Sequence, residues 1–229
     1  MARIARSNQP SEASLSRDRI VEESIAILDA AGESGLTFRT LAERLATGPG
    51  AIYWHIDNKS ELLTAACDAI IAQAIDVALV GLTPPATIRA LALGVFDALN
   101  AHPWVGTALD RAPGQLPMVR ILERIGQQVR VLGVPDEAEW ATVAALLNYI
   151  LGVGGQNAAN HRIARDQGVG RSDFLENLAA SWLHLDPEKY PFVHSKAGQL
   201  HAHDDRADFC AGIDLILDGI EKRRYLKQT

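Results

Sequence analysis

Sulfur and aromatic side chains are scarce in this 229-residue sequence: two cysteines, two methionines and 6% aromatic residues. Cys67 and Cys210 sit among apolar residues of helical spacing, without a CxxC arrangement, so buried thiols are expected rather than a redox pair. Long apolar runs are missing as well. No stretch nears the roughly 18 consecutive apolar residues of a membrane span. The opening MARIARSNQP lacks the apolar core of a secretion signal, so a cytoplasmic protein without a membrane partner is expected. Strand alternation and internal repeats are absent. So are GxSxG, a phosphate-binding glycine loop, HExxH and a Cys-His signature, which counts against an enzyme. Positive charge is also short. The net charge is -6, and residues 1 to 65 hold seven Lys or Arg against nine Asp or Glu, a net of -2. Binding to nucleic acid rests on releasing counterions from phosphates, so any such role must come from local placement of cations.

What is present is a globular composition, 48% hydrophobic and 22% charged, on a chain long enough for a small domain beside a larger one. Residues 1–15, with Arg3 and Arg6, read as a mobile tail able to touch a DNA backbone. From Ser16, a plausible N-cap, Ile20, Val21, Ser24, Ile25, Ile27, Leu28 and Ala31 follow helical spacing, and Gly32 reads as the stop. Thr37 caps a second short helix through Phe38, Leu41, Ala42 and Leu45, ending near Ala46. Thr47, Gly48 and Pro49 break the chain, and residues 50–56 form a third short segment. Two short helices about a tight turn are a helix-turn-helix arrangement. Asn58 with Glu61 reads as a capping box that opens a fourth helix reaching Val80.

Beyond Pro85 the pattern stays helical. One stripe is Ile88, Leu91, Val95, Phe96 and Leu99, and a second runs from Met118 through Ile125 to Leu132. A long apolar segment, Trp140 to Arg165, carries Gly152, Gly154 and Gly155. Either these break the helix or they permit a close helix-helix contact, which is the preferred reading. Residues 172–185 form a helix, residues 194–205 an exposed polar loop, and residues 206–226 a last helix ending in Lys222, Arg223 and Arg224. Basic residues there suit a helix C-terminus. The fold class expected is all-α, an N-terminal three-helix domain over residues 16–66 followed by a larger helical domain over 67–229.

The string Leu36 to Leu63, LTFRTLAERLATGPGAIYWHIDNKSELL, resembles the DNA-binding domain of the TetR family of bacterial repressors. The Tyr53, Trp54, His55 cluster and the Asn58, Lys59 pair make it most similar to the tetracycline-repressor branch. A helix entering the major groove needs a small tip, which Gly48, Pro49, Gly50 and Ala51 supply. The resemblance implies base contacts from Arg39, Thr47, Pro49, Gly50 and Ala51. Arg39 is the main reader, through two hydrogen bonds to a guanine, and Ala51 meets a thymine methyl. Thr37, Tyr53, His55 and Lys59 match the family's backbone-contacting positions. Trp54 and Ile56 are assigned to the core.

The stretch from Lys189, KYPFVHSKAGQLHAHDDRADFCAGIDLILDGIEKR, resembles the end of tetracycline-repressor-type regulators more weakly. It implies a homodimer through the helices near 135–165 and 206–226, and the larger domain is then a ligand-binding and dimerisation domain. The implied partners are a palindromic double-stranded DNA operator and a small-molecule effector whose binding releases it. Pocket candidates are His102, Trp104, Trp140, Asn148, Gln156 and Asn157. No cofactor is implied. His194, His201 and His203 beside Asp204 and Asp205 could suit a metal, with a solvated loop as the default. The alternative function is a helical adaptor that keeps the head fold without binding DNA.

Overall fold

The computed structural model describes residues 15–76, 81–111, 114–166 and 168–228. The expected tail through residue 14, with Arg3 and Arg6, lies outside them, as do residues 77–80 and the side chains of Arg223 and Arg224. All the described regular structure is helical. The chain divides between Ala66 and Cys67 into two compact units.

In the first unit, α1 (Arg17–Gly35) starts at Ser16, whose hydroxyl accepts from the Arg19 amide at 3.2 Å. Gly32 adopts φ 63° and interrupts the helical geometry. It does not end the element, because one further turn carries the chain to Gly35. Leu36 is fully buried. α2 (Phe38–Arg44) is capped by Thr37, and the capping box is closed by Thr40 in place of the usual Glu or Gln. α3 (Pro49–Tyr53) has Gly48 at its N-cap and Pro49 in its first turn, where a missing N–H costs nothing. Between them Ala46 takes φ 52°, an unfavourable backbone for a residue with a Cβ, which makes the turn tight. Ile52 and Ile56 are 0% and 1% exposed. Burying each contributes about 1.5–3 kcal/mol to holding α3 in place.

α4 (Lys59–Ile75) begins at Asn58, whose Oδ1 accepts from the Glu61 amide at 2.9 Å. Glu61 reaches past Asn58 to the Asp57 amide, 2.7 Å away, so the expected reciprocal box is shifted by one residue. The described helix stops at Ile75, and the end expected at Val80 lies outside the described residues.

In the second unit, α5 (Pro84–Ala101) packs against α6 (Trp104–Arg111), α7 (Leu116–Val131), α8 (Asp136–Asp166) and α11 (Asp205–Gln228). Its stripe Ile88, Leu91, Val95, Phe96 and Leu99 is buried as expected. α6 was not expected: Pro103 reads as a stop, yet Val105 and Leu109 bury completely beneath it. α8 runs unbroken through its three glycines. A Cβ on Gly154 would stand 2.6 Å from the Leu99 side chain, so this glycine admits α5, while Gly152 and Gly155 face open space. The close contact thus concerns one glycine of the three. Gly94 plays the same part between α5 and α4, where a Cβ would collide with the Ala74 carbonyl, and Gly212 of α11 leaves room for Tyr149 of α8. Tyr149 donates to the Phe209 carbonyl at 3.2 Å.

The segment expected as an exposed loop, residues 194–205, is exposed over most of its length, as expected, but largely helical rather than loop. After α9 (Arg171–Leu183) come α10 (Pro191–Lys196) and a 3₁₀ turn (Ala197–Ala202), and Ala197 is fully buried. This turn packs on α9, a contact that composition alone does not show. Among the described residues no helix is long and apolar enough to cross a membrane.

Candidate nucleic-acid interface and body cavities

The burial of Ile52 and Ile56 fixes which side of α3 faces outward. Pro49, Gly50, Tyr53 and Trp54 are exposed there, as are Thr37 and Arg39 at the start of α2; Thr47, Ala51, His55 and Lys59 are half-buried. Tyr53 stacks flat on Phe38, centroids 4.4 Å apart and planes 4° from parallel. That contact orients its ring while leaving Tyr53 52% exposed. Trp54, assigned to the core from the sequence, is instead 89% exposed. It lies at the C-cap of α3, one position past the buried stripe, and helical geometry turns it away from the Ile52 side.

The head's cations are engaged with its own acceptors, to different degrees. Arg17 pairs with Glu61 at 2.9 Å and donates to the His55 carbonyl at 2.8 Å. Arg44 pairs with Glu23 at 2.9 Å, joining α2 to α1. Lys59 donates to the Glu33 carbonyl at 2.7 Å, so one of its three N–H groups serves the end of α1. Arg39 pairs with Glu43 one turn along at 3.1 Å, with the two side chains 87% and 62% exposed. Such a pair contributes only about 0.3–0.5 kcal/mol, so among these four cations Arg39 is the most easily recruited by an outside acceptor. Arg17 and Glu61 also set an acid dependence. The Asp57 amide first, and Arg17 second, hold the Glu61 carboxyl below the ordinary glutamate range.

Gly48 and Gly50 have ordinary negative-φ backbones, and a Cβ on either would meet nothing within 4 Å. Nothing inside the chain requires glycine at these two places. The small tip leaves space on the outside of the molecule.

In the second unit the six pocket candidates separate. Trp140 is 71% exposed, and Asn148 and Gln156 are exposed too, because each falls on a side of α8 turned away from α5; these three line no described cavity. His102 and Trp104 meet edge to face at the α5–α6 corner, centroids 6.2 Å apart. They line no described cavity either. Asn157 alone does. One cavity, about 220 Å³, lies between α5, α6 and α8 and is lined by residues including Leu99, Thr107, Asp110 and Arg162. A second, an open groove of about 430 Å³, is bounded by Phe96, Asn100, Asn157, His161, Arg171 and residues 203–206. The sequence reading missed Asn100, His161 and Arg171. Their signal, polar residues on three different helices, becomes a site only when the helices pack.

His203 stands between Asp205 and Asp208, at 3.0 and 3.1 Å. Among the described residues no group of three or more His, Cys, Asp or Glu is arranged to hold a metal. Cys67 is buried, and that burial pushes its thiol up to about 12.

A helix-turn-helix head with an outward-facing third helix, followed along the chain by a larger helical unit, defines a class of DNA-binding transcriptional regulators. Within it, the family model described as bacterial regulatory proteins, tetR family, matches residues 20–66. The model described as tetracyclin repressor-like, C-terminal domain, matches residues 85–224. The chain belongs to the TetR family and is a helix-turn-helix transcriptional regulator. A solved structure of the transcriptional regulator SCO7222, a TetR from Streptomyces coelicolor, shares 48% identity at a TM-score of 0.82, covering 91% of this chain and 98% of that one. The HTH-type transcriptional repressor DrrR1 of Streptomyces coeruleorubidus is 26% identical over 217 residues, 90% of this chain and 77% of its own length. BioQ, solved with its natural double-stranded DNA operator, shares 25% identity at a TM-score of 0.61, covering 91% of this chain and 99% of that one.

Proposed function

We propose that two copies of this chain bind a palindromic operator as a homodimeric repressor, and that a small molecule entering the larger unit releases them. The outward face of α3 carries the reading: with Ile52 and Ile56 buried, Pro49, Gly50, Tyr53 and Trp54 are left for another molecule. Likeness to BioQ, whose structure holds a DNA operator, and to DrrR1, a repressor by name, supports it.

In this reading Arg39 leaves Glu43 and makes a bidentate contact to a guanine, while Thr47, Pro49, Gly50 and Ala51 bring the backbone against base edges. Thr37, Tyr53, His55 and Lys59 position the head on phosphates. Trp54, beside Tyr53, joins that face. Local placement answers the acidic head, since the acid partners of Arg17 and Arg44 lie with them in head-stabilising pairs and Arg39 is lightly held. A two-fold operator needs two heads in successive major grooves, about 34–36 Å apart. The helices α8 and α11 supply the dimer face. Trp140 on α8 and Leu215 on α11, 71% and 74% exposed, are apolar surface that a partner would cover. Release is a population shift: the effector must bind more tightly to the head spacing that does not fit the operator.

The test is fluorescence anisotropy on duplex taken from upstream of the protein's own gene, across a salt series, with sedimentation to read the stoichiometry. Two chains per site, with affinity falling steeply with salt, is the expected result. No salt-sensitive binding to any such duplex would move the reading to a non-DNA-binding adaptor.

A further inference from the structure

The turn between α3 and α4, residues 54–58, joins the outward face of α3 to Lys59. α3 is five residues long, far below the roughly 12 to 15 at which a helix sustains itself, so its angle must be imposed by groups outside it. On the inner side Ile56 anchors the turn, being 1% exposed. On the outer side the turn leaves backbone groups that no helix satisfies, carbonyls at the end of α3 and amides at the start of α4.

One residue from the start of α1 serves both sides of the turn. Arg17 donates from Nη1 to the His55 carbonyl at 2.8 Å, and the same nitrogen meets Glu61 Oε1 at 2.9 Å. Glu61 in turn accepts the Asp57 amide on Oε2 at 2.7 Å. Nη1 has two N–H groups, and these two acceptors use both. The links from His55 through Arg17 and Glu61 to Asp57 close a ring across the turn and tie it to α1, 38 positions earlier in the chain. Arg17 and Glu61 are 49% and 34% exposed, and pairs so open to solvent add little to global stability. What this pair fixes is geometry. Tyr53 closes α3 and His55 lies within the ring, so a slack turn shifts both donors relative to the rest of the head, and hydrogen bonds weaken steeply with misalignment.

We propose that Arg17 is a positioning residue for operator binding: held by Glu61, it fixes the turn after α3 so that Tyr53 and His55 meet phosphates in register, and it touches no DNA itself. The inference rests on the operator reading above and adds to it a residue of α1, outside the contact face.

The experiment selects a duplex from a random-sequence library with the full-length wild type, then measures binding to it by anisotropy across a salt series, thermal unfolding confirming that each variant is folded at the assay temperature. Arg17→Met keeps the stem and loses the charge and the donors. It should bind about tenfold more weakly, with the slope of log affinity against log salt unchanged. Glu61→Gln can keep the Asp57 amide contact but gives up the charge that holds Arg17. It should weaken binding about threefold although it removes a negative charge from the head, where plain electrostatics gives the opposite sign. The double variant should lose no more than Arg17→Met alone, because the two residues act through one ring. Arg17→Lys, whose single nitrogen can serve both acceptors, should recover part of the loss. Should Arg17→Met fail to fold, the sign in Glu61→Gln still decides. Unchanged or tighter binding by Glu61→Gln would overturn the proposal, and so would a salt slope reduced by about one in Arg17→Met, the mark of a phosphate contact. Full affinity in Arg17→Met beside a lowered unfolding temperature would also overturn it, leaving the ring to stabilise the fold alone. A wild type that selects no duplex would overturn the operator reading itself, and the proposal with it, whereas a selected duplex that the variants bind undiminished would sink the proposal only.

Discussion

Replacing Gly50 by alanine should strengthen the protein and weaken its hold on DNA. Gly50 lies in the first turn of α3 with negative φ, and an added Cβ meets nothing within 4 Å. Inside the chain the substitution therefore meets no steric penalty. Removing glycine's backbone freedom from a helix raises stability by up to about 1 kcal/mol, with the short first turn delivering the smaller part of that. Outside the chain the same methyl stands where base edges must approach. Loss of one base contact costs about 1–3 kcal/mol, or roughly 5- to 150-fold in affinity, and Gly50→Leu should lose more than Gly50→Ala. The assay pairs urea unfolding with anisotropy on the operator duplex at fixed salt. Unchanged or raised unfolding free energy beside weakened binding is expected. Two results would refute the reasoning: full affinity in Gly50→Leu would remove α3's tip from the groove, and a loss of stability in Gly50→Ala would mean that glycine serves the fold.

Other consequences can be read with the same two assays or simpler ones. Arg39→Ala should cost about 1–3 kcal/mol of operator affinity and relax preference at one base pair, with thermal unfolding unchanged because the Arg39–Glu43 pair is exposed; a uniform loss across operator variants would reassign Arg39 to phosphate. Gly94→Ala should destabilise the larger unit by about 1–3 kcal/mol, since the Ala74 carbonyl cannot yield without separating α4 from α5; calorimetric unfolding reads this. Glu61 is held below its ordinary pKa, so its contribution to stability is present above the unfolded value near 4.5 and is lost as pH falls through the lowered folded value. Glu61→Gln should flatten that acid slope of the head in pH-dependent unfolding. Cys67, buried and pushed up to about 12, should ignore Ellman's reagent at pH 8 until the protein is unfolded.

Much of the head could be read directly from the residues. Caps at Ser16, Thr37 and Asn58 and the apolar spacing of Ile20, Leu28, Leu41, Ile52 and Ile56 act within a turn or two of chain, where helix geometry leaves little choice. Trp54 was misjudged because hydrophobicity is not burial: which side of a five-residue helix faces inward is set by the partners of Ile52, and Trp54 falls beyond them.

In the larger unit the helical stripes of α5 and α7 were equally legible, while α6 and the turn before α11 were not. Proline and polar composition read as loop there, and burial of Val105 and Ala197 overrode them.

The sequence by itself determined the long helices, the helix-turn-helix and the family, because periodicity, caps and a contiguous 28-residue motif are local properties. Tertiary structure alone decided the cavity. Asn100 and Asn157 lie 57 positions apart, and only the packing of α5 on α8 brings their amides to 2.8 Å and leaves one buried oxygen without a partner.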